Sequence, residues 1–351
     1  MSDKLLSIII PTYNRAAILP YTISLFKEQI KRNIDDVEFI VCNNASTDNT
    51  SEVLQEIHLQ DAFFSIINYL EHFDIGNSIK RSANNGSGKF ILLFGDDDVP
   101  APMLVDYVLQ ELKSRPDVGA LVLGKTEGFS GDELKIDNLV LPDNENTFTA
   151  YECHYAEDTT SFAEDNYYKM GFLSVDVIRR TCWERGINNY ADRHLGFEFV
   201  AQMLMGVKGL QNIYINWPLV IQRHPTSKNN QRDWISLWPI YMYVGFPRLL
   251  IDLEKESVVS DWRMCFEKHI DQRRDGNFYI AMLGICKRRK AYLPYLEEMR
   301  DYQHDSQRKR LISATISGGV KMSLYYMYYK FKYTSISHQF ERVRRYIKRH
   351  L

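Results

Sequence analysis

The stretch Phe90-Ile-Leu-Leu-Phe-Gly-Asp96-Asp97-Asp98-Val-Pro-Ala-Pro102 constrains the fold more than any other part of the chain. A continuous apolar run of this length reads as a strand buried on both faces, the pattern of a parallel sheet. Three carboxylates at the carboxyl end of such a strand stand where open α/β sheets bind their ligands. Adjacent carboxylates repel one another unless a cation or a strong donor set holds them, and Mg²⁺ or Mn²⁺ prefers hard oxygens. The plain alternative is a solvated acidic turn after a strand.

The flanking sequence favours a ligand site. Residues 5–10 form a buried strand closed by Pro11-Thr-Tyr-Asn-Arg15, and residues 16–30 carry Ile18, Leu19, Ile23, Phe26 and Ile30 at helical spacing. A second strand over 37–42 ends in a polar loop, 43–50, whose Ser and Thr residues suit the cap of a helix over 51–57. Strands over 63–70, 89–94 and 118–123 then alternate with helices over 76–84 and 102–113. Strict alternation predicts a doubly wound parallel sheet. Loops 12–15, 43–48 and 96–98 would converge on one crevice. The first loop lacks G-x-G-x-x-G, the second has no glycine, and there is no P-loop. A nucleotide held there would be gripped by side chains and a metal.

Ile8-Ile-Ile-Pro-Thr-Tyr-Asn-Arg15, Val41-Cys-Asn-Asn-Ala-Ser-Thr-Asp48 and Gly95-Asp-Asp-Asp98 followed by Pro102 together resemble the N-terminal half of the family-two glycosyltransferases. Phe73-Asp-Ile-Gly-Asn77 leading to Gly88-Lys-Phe90 resembles the Gly-Asp-Asp-Asp subgroup that serves bacterial surface polysaccharides. The resemblance covers residues 5–123, continues more loosely to 229 and then stops. It implies an α/β fold of GT-A type over residues 1–229: a doubly wound, Rossmann-like, mainly parallel sheet flanked by helices. Residues 230–351 are left as a helical C-terminal region.

The same resemblance implies metal-dependent, inverting transfer of one sugar from a nucleotide-diphosphate sugar, with a UDP-sugar favoured. The acceptor would be a lipid-linked or oligosaccharide hydroxyl in O-antigen or capsule synthesis. Pro11, Thr12, Tyr13 and Arg15 match the nucleotide-binding first loop. Asp96 would face the ribose, and Asp97 and Asp98 would contact or orient Mn²⁺ or Mg²⁺. Which of those two is the direct ligand stays open, because the usual D-x-D is here acidic at all three positions. Asn44 stands where many relatives carry an aspartate that reads the uracil edge; an amide both donates and accepts, so it can still pair with a pyrimidine. Asp48 reads as turn and cap chemistry. Residues 171–178 resemble the segment beneath the acceptor pocket. The base that would deprotonate the acceptor is expected at Glu198, with Asp192 as the alternative. His224 is expected as a third metal ligand, and Arg223 or Lys228 on phosphate.

Two other functions compete with this reading. A sugar-phosphate nucleotidyltransferase would use a Gly-rich first loop with a lysine, and Pro11–Arg15 has neither. A non-catalytic sugar- or lipid-binding scaffold would not need an intact acidic turn.

Charge is distributed unevenly. The formal net charge is −2, yet residues 308–351 hold eleven Lys and Arg against one acid, Glu341. Residues 324–333 contain five tyrosines, a phenylalanine and two lysines, and Phe340, Val343 and Ile347 share a helical face among basic residues. Aromatic anchors flanked by Lys and Arg suit an interfacial helix on anionic lipid. No nucleic-acid fold signature accompanies the charge, so no nucleic acid is expected. The five cysteines are scattered and never form C-x-x-C, which suits a reducing compartment. No signal-like segment precedes the first strand and no window is apolar enough to span a bilayer. The expected location is the cytoplasm, peripheral on the inner face of the membrane.

Overall fold

The computed structural model describes residues 4–130, 153–156, 159–186, 193–224, 238–271, 278, 282, 285–286, 289–318 and 322–323. The chain divides into two compact units. One comprises Met1–Asp192, Gly196–Gln231 and Lys255–Ser260, the other Arg193–Leu195, Arg232–Glu254 and Asp261–Leu351.

The first unit is organised on a sheet to which the described residues contribute nine strands: β1 (Leu6–Thr12), β2 (Val37–Asn43), β3 (Ser65–Asn68), β4 (Phe90–Leu93), β5 (Val99–Pro100), β6 (Ala120–Ser130), β7 (Cys153–Ala156), β8 (Asp176–Arg179) and β9 (Asn212–His224). Their order is β3-β2-β1-β4-β8-β6-β9-β5, with β7 on β9. The first four are parallel, and Ile8 at the centre of β1 lies between Phe39 and Leu92. Ile8, Ile9, Ile10 and all four residues of β4 are fully buried. Burial on both faces is why these strands read as unbroken apolar runs rather than alternating ones.

Helix α1 (Leu19–Arg32) covers one face, burying Leu19, Ile23, Phe26 and Ile30 at helical spacing. Pro20 in its first turn is pre-set for helix, and Lys31 and Arg32 in its last turn complement the helix dipole. Phe26 meets Phe94 edge to face at 4.9 Å, which ties α1 to the carboxyl end of β4. Gln29 is buried as well. Its amide donates to Ala101 O at 3.0 Å and accepts from Val105 N at 3.0 Å, so α1 also fixes the chain after the acidic turn. The next helices are α2 (Thr50–Gln60), α3 (Ile75–Ala83) and α4 (Leu104–Ser114). Asp74 caps α3 by accepting from Asn77 N at 3.0 Å.

Beyond β4 the sheet changes character. β8 is antiparallel to both β4 and β6, β9 is parallel to β6, and β5 is antiparallel to β9. The strand expected over residues 118–123 is β6, but it pairs with β8 and β9 instead of continuing the parallel series beside β4. An apolar run reports that a strand is buried and carries no information about its neighbour. Helices α5 (Thr159–Met170), α6 (Arg180–Arg185) and α7 (Glu198–Gly206) complete this unit.

The described residues of the second unit include the helices α8 (Trp238–Ile240), α9 (Phe246–Lys255), α10 (Trp262–Phe266), α11 (Arg289–Tyr302) and α12 (Ser306–Ser317), with π-helical turns over Tyr241–Gly245 and Glu267–Asp271. Asp252 is wholly buried and receives His194 Nε2 and Arg193 Nε, each at 3.0 Å. Arg248 donates to Glu298 at 2.7 Å and links α9 to α11. The basic, aromatic segment over 324–351 lies outside the described residues. Among the described residues no helix is long and apolar enough to cross a membrane.

Candidate functional site

The acidic turn is built from both sides of the sheet. Thr22, one helical turn into α1, directs its hydroxyl at Asp96 O (3.1 Å) and Asp98 O (3.2 Å), which fixes the backbone of the turn. On the other side Ser174, in a short 3₁₀ turn ahead of β8, accepts from Gly95 N at 2.8 Å and donates to Asp98 Oδ2. Gly95 is needed for that approach, because a Cβ there would stand 2.7 Å from Asp98 Oδ2. The three acids therefore differ. Asp97 and Asp98 are 2% and 3% exposed, whereas the Asp96 side chain is 15% exposed and turns toward the first loop.

That loop reaches it directly. Thr12 Oγ1 donates to Asp96 Oδ2 at 2.9 Å, and Arg15 Nε lies 3.4 Å from Asp96 Oδ1. The loop is in turn sewn to the one after β2. Asn14, at φ +54°, accepts from Thr47 N (2.8 Å) and Asp48 N (3.3 Å), and Arg15 N donates to Thr50 Oγ1 at 2.9 Å. A positive φ suits asparagine better than most side chains. Asp48 accepts from Thr50 N at 3.0 Å and Ala16 N at 3.3 Å, capping α2 while holding the first loop. Pro11 is level with Cys42 in the β1–β2 ladder.

Asn44 spends its amide on the backbone of Phe73, accepting from Phe73 N at 3.1 Å and donating to Phe73 O at 2.8 Å. This clamps the segment before α3 against the loop after β2. It also brings the His72 ring to 4.1 Å from the Tyr13 ring, tilted by 39°.

Glu198 opens α7 and is buried. Its Oε2 accepts from Gly196 N at 2.8 Å and lies against Gly76 in the first turn of α3. Nearby Asp74 titrates below the usual range: burial pushes its carboxyl up, and the hydrogen bonds from Asn77 outweigh that push. Arg223 in β9 is buried, with its guanidinium 5.4 Å from the centre of the Tyr21 ring. Burial raises the Tyr21 hydroxyl and the Arg223 charge partly offsets it.

The expected residues thus fall into separate groups. Thr12, Arg15 and Asp96 are in contact; Asp97 and Asp98 follow in the same turn and are buried; Tyr13 lies against His72 and Asn44 against the backbone of Phe73. Glu198 sits at α3. Asp192, Lys228 and the side chain of His224 are outside the described residues. Among the described residues no group of three or more His, Cys, Asp or Glu side chains is placed to hold a metal ion. Ser174, Thr22 and His72 are candidate site residues that the sequence did not single out by role, and Gly76 appeared there only within the stretch Phe73–Asn77. Ser174 lies within a stretch already singled out, 171–178, but only the fold reveals what its hydroxyl touches.

The sequence profile of glycosyl transferase family 2 matches from β1 through the acidic turn and into α5, over residues 7–161. These residues form a family 2 glycosyltransferase domain. The domain is 35% identical over 130 residues to validoxylamine A glucosyltransferase of Streptomyces hygroscopicus subsp. jinggangensis, covering 36% of this chain and 29% of that protein. It is 32% identical over 97 residues to the GalNAc(5)-diNAcBac-PP-undecaprenol beta-1,3-glucosyltransferase of Campylobacter jejuni, covering 26% and 29%. The matched segments thus span under a third of these curated relatives. The fold is shared with the crystal structure of S. aureus TarS 1–349 at a TM-score of 0.53 and 10% identity, over 94% of this chain and 91% of that one. The family 2 domain accordingly has the GT-A architecture that its motifs led one to expect.

Proposed function

We propose that the protein transfers one sugar, with inversion, from a nucleotide-diphosphate sugar to a hydroxyl of a lipid-linked or oligosaccharide acceptor in surface-polysaccharide synthesis. The observation that carries this reading is the meeting of Thr12 and Arg15 with Asp96 at the carboxyl end of β4. A nucleotide loop and an acidic turn brought together at that edge suit a donor whose leaving group is a diphosphate. Asp96 then takes the ribose, Tyr13 and His72 offer ring faces to the base, and Arg15 places positive charge where the diphosphate departs.

The carboxylates of Asp97 and Asp98 supply the hard oxygen donors that Mn²⁺ or Mg²⁺ requires, and His224 at the end of β9 is the proposed further ligand. A bound ion would neutralise charge developing on the leaving diphosphate. Glu198 is the proposed base for the acceptor hydroxyl. A lipid-linked acceptor is supported by the undecaprenol-linked substrate in the name of the Campylobacter relative. The basic, aromatic segment over 324–351 suits an anionic membrane surface at the cytoplasmic face, next to such an acceptor.

The test is release of nucleoside diphosphate from a panel of UDP-, GDP- and dTDP-sugars with Mn²⁺, with and without membrane lipid extract. Release from one donor, lost in Asp98→Asn and Glu198→Gln, is the expected outcome. Equal release by wild type and both variants would remove the assignment of these residues.

A further inference from the structure

Asn44 lies just beyond β2 and is 3% exposed. Its N–H donates to Thr12 O at 2.9 Å, and Thr12 is the residue whose hydroxyl holds Asp96. Its side chain reaches the other way. The amide donates to Phe73 O at 2.8 Å and accepts from Phe73 N at 3.1 Å, the two-bond exchange that paired residues of antiparallel strands make. An ionised carboxylate in its place could accept from Phe73 N but could not donate to Phe73 O.

The chain between β3 and α3 is held at Tyr69, whose N–H donates to Asn43 O at 2.9 Å. It then runs exposed through Leu70, Glu71 and His72. The Asn44 amide takes hold of it again at Phe73. Asp74 follows and caps α3, accepting from Asn77 N at 3.0 Å and from Asn77 Nδ2 at 2.6 Å. Two residues further, Gly76 presents bare backbone to Glu198, where an added Cβ would stand 2.9 Å from Oε2. A shift at Phe73 therefore passes along a capped helical turn to the wall against which the Glu198 carboxylate rests.

We propose that Asn44 is a positioning residue for Glu198: by holding Phe73 it sets where α3 begins, and through Gly76 where the carboxylate lies. The loops that receive the nucleotide and the base that receives the acceptor proton are then one assembly. The link is a property of the ligand-free chain, whereas its catalytic consequence rests on the transferase reading.

Amide hydrogen exchange of the full chain without ligand tests the link. Asn44→Ala and Asn44→Asp should each speed exchange over residues 73–79 and at Gly196, whose N–H is bonded to Glu198 Oε2, by about 5-fold or more. Ile8, Ile9 and Ile10 in β1 should keep their wild-type protection. Asn44→Asp, equal in size, carries the test if Asn44→Ala does not fold. Release of nucleoside diphosphate in the presence of membrane lipid extract tests the consequence. In Asn44→Asp, kcat should fall about 10-fold while the donor KM moves less than about 3-fold, because the base and not the grip on the donor is displaced. Exchange at Gly196 that is unchanged, or accelerated no more than in β1, would overturn the proposal. A donor KM that rises while kcat holds would overturn it as well, since Asn44 would then act on the donor. If wild type turns over no donor, the transferase reading fails by itself, and exchange at Gly196 still decides the link.

Discussion

The carboxylate of Glu198 fills the space in front of Gly76, where an added Cβ would stand 2.9 Å from Glu198 Oε2. A Cβ essentially never rests that close to an oxygen, so one of them must move. The helix α3 itself has no objection to alanine, which is the better helix former. Gly76→Ala should therefore leave the melting temperature within about 2 °C of wild type. Turnover should nonetheless fall, by about 10-fold to 100-fold, because a base displaced by an ångström loses its reach to the acceptor hydroxyl. Steady-state kinetics with donor and acceptor in excess would check this. An unchanged kcat would remove Glu198 from the chemistry.

Ser174 holds both Gly95 N and the Asp98 carboxylate, 79 and 76 residues earlier in the chain. Ser174→Ala strands a buried N–H and weakens the hold on a buried acid, a loss of about 1–3 kcal/mol. Urea unfolding should show a lower midpoint with an unchanged slope. The nucleotide affinity of this variant should fall as well, since the turn that carries Asp96 is no longer pinned. A variant as stable as wild type would mean that the hydroxyl is not essential to the turn.

Asp176, at the start of β8, is buried, and among the described residues neither of its carboxylate oxygens has a hydrogen-bond partner. Burial alone pushes its carboxyl well above the usual carboxylate range. The folded state thus binds a proton that the unfolded chain releases near pH 4. The sign follows: the stability this group contributes is complete below that pH and is lost as pH rises through the raised folded value. Asp176→Asn should therefore gain on wild type as pH increases, by at most about 1.4 kcal/mol per pH unit, giving a larger advantage at pH 8 than at pH 5. Urea midpoints at the two pH values decide it. An advantage that is flat with pH would show that Asp176 keeps its charge.

Much of this architecture could be read from pattern. The apolar runs at 6–10 and 90–94 are buried strands, and the spacing of Leu19, Ile23, Phe26 and Ile30 is the buried stripe of α1. What pattern could not supply was pairing. β8 inserts antiparallel between β4 and β6, and no periodicity in residues 176–179 announces that choice. The same limit applies to the site. Thr12, Arg15 and Asp96 carry recognisable chemistry in loops that the fold class brings together. Ser174 and Gly76 matter only through what they touch, 79 residues from Gly95 in one case and at the start of another helix in the other. Asn44 adds a contact that its type did not announce: its amide pairs with the backbone of Phe73.

The most direct test of the nucleotide-sugar reading is the melting temperature of wild type and Asp96→Ala against UDP, GDP, dTDP and CMP, each with and without Mn²⁺. A nucleotide at 100 times its Kd adds about 2.7 kcal/mol to the folded state. One nucleoside diphosphate, most strongly UDP, should raise the wild-type melting temperature by about 5 °C or more in the presence of Mn²⁺. That shift should collapse in Asp96→Ala. No shift with any nucleotide, even with Mn²⁺ present, would contradict the account.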